Sequence, residues 1–196
     1  MKHLFLLILL FSAVTSCNSQ EKPATTNNAP SKSDVVIENI LNRRSVRKYQ
    51  PQQVGKDSID IIMNCAVNAP SALNKQPWEI RVIQSKEILQ KIEGLEANFH
   101  GAPTLIIIGK DKENSYASFD CGLLTQTILL TAESMDLGTC SLGSVAAILN
   151  QEKSKEVFDL LGLPENYDVV LAIALGYKAE RPEAKKRDLG KVRYID

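Results

Sequence analysis

Histidine is nearly missing from this chain: only His3 and His100 carry an imidazole among 196 residues. Cysteine occurs four times, at positions 17, 65, 121 and 140, and no two form a CxxC pair. Zinc centres, haem attachment sites and Cys–His catalytic pairs need what is lacking here. An excess of one charge is lacking too, with 23 Lys and Arg against 23 Asp and Glu. That balance offers no basic surplus for nucleic acid, and the densest charge block is Lys185-Lys186-Arg187. The apolar run Leu4–Phe11 is eight residues long, whereas a bilayer span needs about 20. No internal repeat is visible.

What is present begins at the amino terminus. Lys2, the apolar run, then Ala13, Val14 and the small residues Thr15-Ser16 have the layout of a secretory signal. Cys17 follows directly, and Val14-Thr15-Ser16-Cys17 resembles the lipobox of bacterial lipoproteins. The resemblance implies cleavage of a 1–16 signal peptide, lipidation of Cys17 and an exported, membrane-anchored protein on the periplasmic or cell-surface side. Acyl chains contribute about 0.8 kcal/mol per buried methylene. A plain secretion signal and an uncleaved anchor helix are the alternatives. Residues 17–33 hold no large apolar side chain and read as a lipidated cysteine on a flexible tether. Residues 34–196 then form one domain, large enough for a real core. Without residues 1–16 its chain loses only Lys2, leaving 22 basic against 23 acidic side chains.

Ser33-Asp34 is expected to cap a helix carrying Val35, Val36, Ile40 and Leu41. Ile59, Ile62, Met63 and Ala66 predict a second helix ending before Pro70. Glu79–Gln84 alternates as a strand, Glu87–Asn98 reads as a short amphipathic helix, and Thr104–Gly109 as a buried strand. Ser115–Leu137 predicts a long helix running through the core, with Leu123, Leu124, Ile128, Leu129 and Ala132. Glu152–Leu161 predicts a helix and Asp168–Leu175 a buried strand closing at Gly176. Cys65 and Cys121 are expected in the core. Two of Cys65, Cys121 and Cys140 could pair outside the cytoplasm, and the sequence does not choose which. Without regular βαβ alternation the class is α+β.

Three clusters could carry chemistry. In Arg43-Arg44-Ser45-Val46-Arg47, an extended chain would turn Arg43, Ser45 and Arg47 to one side. Two guanidiniums and a hydroxyl suit a phosphate and an electron-poor ring edge, and a solvated basic surface is the plainer reading. In Ala69–Trp78 two prolines bracket Ser71, Asn74 and Gln76, neutral groups able to read a flat heterocycle. The plainer reading is turn chemistry with Trp78 as a core plug. Gly138–Ser144 reads as a Gly-flanked loop that lets backbone approach a ligand, or as a simple helix end.

In this order and spacing the clusters resemble the FMN-dependent nitroreductase family over Asn39–Arg187. The resemblance implies a central sheet sandwiched by helices and an intertwined homodimer with FMN at its interface. Arg43 and Ser45 would hold the phosphate and ribityl chain, with Arg44 in the same strip and pointing elsewhere. Arg47 would sit near N1 and O2 of the flavin, where a cation stabilises the reduced form. Ser71 and Asn74 would reach FMN from the partner subunit, with Gln76 beside them. Ser141, Leu142 and Gly143 would line the isoalloxazine, and Lys185 and Arg187 would close on the phosphate. The implied reaction passes electrons from NADH or NADPH, or for an exported protein from another donor such as a membrane quinol or an anchored redox partner, through FMN to a small electron-poor acceptor such as a nitroaromatic or a quinone. It needs no acid–base dyad from the protein, in keeping with the scarcity of histidine. The same motifs occur in dehalogenase-type members. An exported flavin-binding protein without turnover, or a module that lost its cofactor, would also carry the fold. The short 110–116 stretch leaves no room for a substrate-capping insertion and favours an open site.

Overall fold

A computed structural model describes residues 29–196; the expected signal peptide, Cys17 and most of the expected tether lie outside them. Helix α1 (Lys32–Asn42) starts two residues before the expected Asp34. Ser31 is its cap: the Ser31 hydroxyl oxygen accepts from the Asp34 N–H at 3.1 Å, and the Asp34 carboxylate accepts from the Ser31 N–H and hydroxyl at 3.1 and 2.7 Å. Asp34 is therefore the reciprocal acid of a capping box, not the cap itself.

Helix α2 (Lys56–Ala66), strand β1 (Trp78–Ile83), α3 (Lys86–Glu93), β2 (Thr104–Asp111) and α4 (Ala117–Ser134) follow. Then come β3 (Leu137–Leu142), α5 (Gly143–Leu149), α6 (Lys155–Leu160) and β4 (Tyr167–Tyr177). The four strands form one antiparallel sheet in the order β1-β2-β4-β3. Side chains alternate across a strand, so neighbours serve opposite faces. Leu105, Ile107, Ala172 and Ala174 pack with Leu89, Ile92, Val145 and Leu149 from α3 and α5. Ile106, Ile108, Ile173 and Leu175 pack with Ile59, Ile62, Leu124 and Ile128 from α2 and α4. Burial on both faces explains why β2 reads as an unbroken apolar run. It is the expected α+β sheet sandwiched by helices.

Several expectations need correction. Helix α3 stops at Glu93, with a turn through Gly94 and a left-handed Glu96 (φ 63°). The segment Gly138–Leu142 is strand β3 and not a loop, and α5 begins at Gly143. Cys65 is exposed, since Ile59, Ile62 and Ala66 make the buried stripe of α2 and Cys65 lies off it. Leu123 is only half-buried, because α4 keeps one flank open with Phe119 on it, 69% exposed. All three described cysteines are free thiols. No side chain of α1 is buried; Val35, Val36, Ile37, Ile40 and Leu41 are each about half exposed or more.

Candidate functional site

After α1 the chain runs extended and is added to the open edge of β3. Ser45 bridges Thr139 in parallel, and the Val46 N–H donates to the Thr139 carbonyl at 2.9 Å. The strip is also fixed by residues at and just after the end of β4. The Ala179 N–H donates to the Lys48 carbonyl at 2.9 Å, and the Gln50 N–H to that of Tyr177 at 2.9 Å. The Arg47 N–H donates to Glu180 Oε1 at 2.6 Å, and the Tyr49 hydroxyl to the Val46 carbonyl at 2.6 Å.

Extended backbone sorts the strip's side chains. Val46 is buried against Gly138, which has no room for a Cβ. Arg43 and Arg47 share a surface: burial pushes the Cys140 thiol above its usual pKa, and Arg47 and Arg43 both oppose that shift. Arg44 turns elsewhere, donating to the Leu41 and Arg43 carbonyls at 2.5 and 2.9 Å, where it closes the end of α1. Its Nε is buried without a partner, and it lines a cleft with Val46, Glu133, Asp136, Lys178 and Glu180.

Next to this strip, Ser141 is exposed on β3 and Gly143 opens α5. Leu142 is 6% exposed and packs into the core, so its side chain is not offered to a ligand. Its burial follows from the strand's alternation, which a loop would not have imposed.

The turn at 71–76 lies elsewhere. Leu73, Asn74 and Gln76 have φ of 53°, 54° and 47°, left-handed values that cost L-residues about 1 kcal/mol or more each. The turn is pinned at both ends. The Ala72 N–H donates to Asp120 Oδ2 at 3.1 Å, and the Gln76 N–H to Ser71 Oγ at 3.0 Å. Trp78 is buried in the core, as the plainer reading of this segment expected. Asn74, Gln76 and Leu73 face outward, Leu73 with 89% of its surface exposed.

One chain does not bring the two clusters together. The turn leads into β1, at one sheet edge, while the strip lies beyond β3 at the other. With the strip paired outside β3, four strand spacings make about 19 Å across the sheet. Trp78 aligns through Lys110 with Asp168, and Ser45 through Thr139 with Leu175, which adds roughly 24 Å along β4. Lys185 and Arg187 sit in an exposed tail, without a hydrogen bond or ion pair to the strip among the described residues.

Residues 40–98 and 93–177 match the profile of the Nitroreductase family. The chain belongs to this family. A crystal structure of a nitroreductase with bound FMN from Desulfitobacterium hafniense superimposes with a TM-score of 0.77 at 26% identity, covering 83% of this chain and 98% of that one. An FMN reductase [NAD(P)H] of Bacillus subtilis is 25% identical over 78% of this chain and 69% of its own. An NADPH-flavin oxidoreductase of Vibrio harveyi is 29% identical over 77% and 69%.

For a nitroreductase the donor set fits FMN. Arg43, Arg47 and the Ser45 hydroxyl match a phosphate and an electron-poor ring, and Gly138 lets the strip lie flat on β3. Sequence reasoning missed two acids that hold the site's backbone. Asp120 is 1% exposed in the first turn of α4, where the helix dipole favours its charge. Glu180 follows β4 in a charge-rich tail. An acid in the first turn of the mostly apolar α4, whose other acid is Glu133 in the last turn, was a usable signal for Asp120, whereas nothing local singled out Glu180.

Proposed function

We propose that the chain is an FMN-dependent oxidoreductase that passes electrons from NADH or NADPH to an electron-poor acceptor such as a nitroaromatic or a quinone. It works as a homodimer in which the strip of one copy and the 71–76 turn of the other share each flavin. The observation that carries this reading is the separation of two complete half-sites on one chain. Helix α1 supports it: eleven residues with no buried side chain are marginal in water, and a second copy supplies the missing cover.

Arg43 and Ser45 hold the phosphate, and Arg47 places positive charge at the N1–O2 edge of the ring. Ser71 and Asn74 of the second copy fix the ring's other edge, with Gln76 beside them. Ser141 and the backbone at Leu142–Gly143 line the ring, and Lys185 and Arg187 close over the phosphate. Bound there, FMN would supply two-electron hydride chemistry between donor and acceptor. The protein orients both partners and sets the charge around them. Cys17 anchors the protein to a membrane outside the cytoplasm, away from the cytoplasmic nicotinamide pool. There a membrane quinol or an anchored redox partner is the alternative donor to NADH or NADPH.

Purification without residues 1–17, followed by mixing with NADH or NADPH and a quinone, tests the reading. A yellow dimer whose flavin bleaches with nicotinamide and recolours with quinone is expected. Bleaching by dithionite but by neither nicotinamide would leave a flavin-binding protein with no such turnover. A colourless protein that cannot be loaded with FMN would remove the flavin reading altogether.

A further inference from the structure

Glu180 has no role in the reading above, yet it touches the strip at its most constrained point. The residues on either side of Ala179-Glu180 are already engaged elsewhere. Lys178 pairs with Glu133 at 3.0 Å and Asp136 at 3.1 Å, and Arg181 pairs with Asp136 at 3.7 Å. Glu180 forms no ion pair within 4.0 Å among the described residues; its carboxylate accepts the Arg47 main-chain N–H at 2.6 Å. The Arg47 guanidinium reaches the Ser45 carbonyl, 3.3 Å away, instead of the Glu180 carboxylate. The backbone of Arg47 is held by the acid while its cation stays available to a ligand. Glu180 also acts electrostatically on Tyr49 and Cys140, the two side chains that sense Arg47. Its negative charge therefore lies inside the field of the cationic strip.

We propose that Glu180 is a positioning residue of the flavin site: its carboxylate fixes the main chain at Arg47 and offsets part of the strip's positive charge, which lowers the reduction potential of the bound flavin. The proposal rests on the FMN reading. A carboxylate opposes the addition of negative charge to a neighbouring group, and an amide of the same shape does not. The hydrogen bond and the charge are therefore separable by substitution.

Glu180→Gln and Glu180→Ala are compared with the parent dimer and with Glu156→Gln, which removes an exposed acid paired to Lys91. FMN dissociation is followed by flavin fluorescence, midpoint potential by equilibration with reference dyes, and folding by circular dichroism. Glu180→Gln keeps an acceptor for the Arg47 N–H, so FMN affinity stays within about threefold and the potential moves positive. Glu180→Ala loses the charge-assisted bond as well and weakens FMN binding by about tenfold or more. Glu156→Gln changes neither quantity. A Glu180→Gln potential equal to the parent's overturns the charge role, and a Glu180→Ala affinity equal to the parent's overturns the positioning role. If the parent dimer itself takes up no FMN, the FMN reading fails and the proposal falls with it.

Discussion

Val46 occupies the space that a side chain at Gly138 would need: a Cβ there would lie 2.9 Å from the Val46 Cβ and 3.1 Å from the Lys178 Cγ. Neither neighbour can move freely, since Val46 is 1% exposed and Lys178 is tied to Glu133. Gly138→Ala is expected to cost about 1–3 kcal/mol and to lift the strip from β3. Urea melts and FMN titration of the same variant check both effects.

Arg43 and Arg44 are neighbours with opposite assignments. Arg43→Ala removes the proposed phosphate partner and is expected to weaken FMN about tenfold to a hundredfold. Arg44→Ala removes the cation closing α1 and is expected to lower stability with little loss of affinity. Full FMN occupancy in Arg43→Ala would show the phosphate assignment to be wrong.

The proposed sharing of each site between two copies makes a subunit-mixing experiment decisive. Arg43→Ala and Asn74→Ala dimers, each defective in FMN binding, should regain one intact site per mixed dimer after denaturation and refolding together. No recovery of flavin binding in the refolded mixture would mean that each site is built within one copy.

Asp120→Ala leaves the Ala72 N–H without its acceptor and releases three left-handed residues. The expected cost is about 1–3 kcal/mol, with faster amide exchange confined to residues 71–76. Asp120→Asn keeps an acceptor and should be milder on both measures.

The three described cysteines should separate by reactivity. Cys65 is exposed; burial pushes the Cys140 thiol up and the Cys121 thiol up from 9.0 to about 12, with the nearby Asp120 charge adding to the latter. In protein lacking residues 1–17, a maleimide at pH 8 should add once, at Cys65, and three times only after denaturation, as read by intact mass. The folded Cys121 thiol holds its proton where the unfolded one has lost it. Its contribution to stability is full below pH 9 and is lost as pH climbs toward 12.

Elements whose burial shows as pattern were legible in the sequence. The apolar run of β2, the stripe of α2 and the alternation of Arg43, Ser45 and Arg47 each follow from a local period. What escaped depends on contacts made across the fold. Strand β3 carries small residues because Val46 packs on it, so Gly138-Thr139-Cys140 looked like a loop. Helix α5, seven residues long, is stabilised by Val145, Ala146 and Leu149 against the sheet, a stripe too short to stand out. Glu180 acts through a backbone 133 positions away, and no local signal marks such a partner.

The strip laid on β3 has a consequence for solubility. Strand β3 ends the sheet, and a bare strand edge is a template for pairing with other chains. The few residues proposed to hold the cofactor therefore also shield that edge. Substitutions that loosen them would produce a protein that is at once colourless and prone to aggregate. In this fold, keeping the flavin and staying in solution are one requirement on one short stretch of chain.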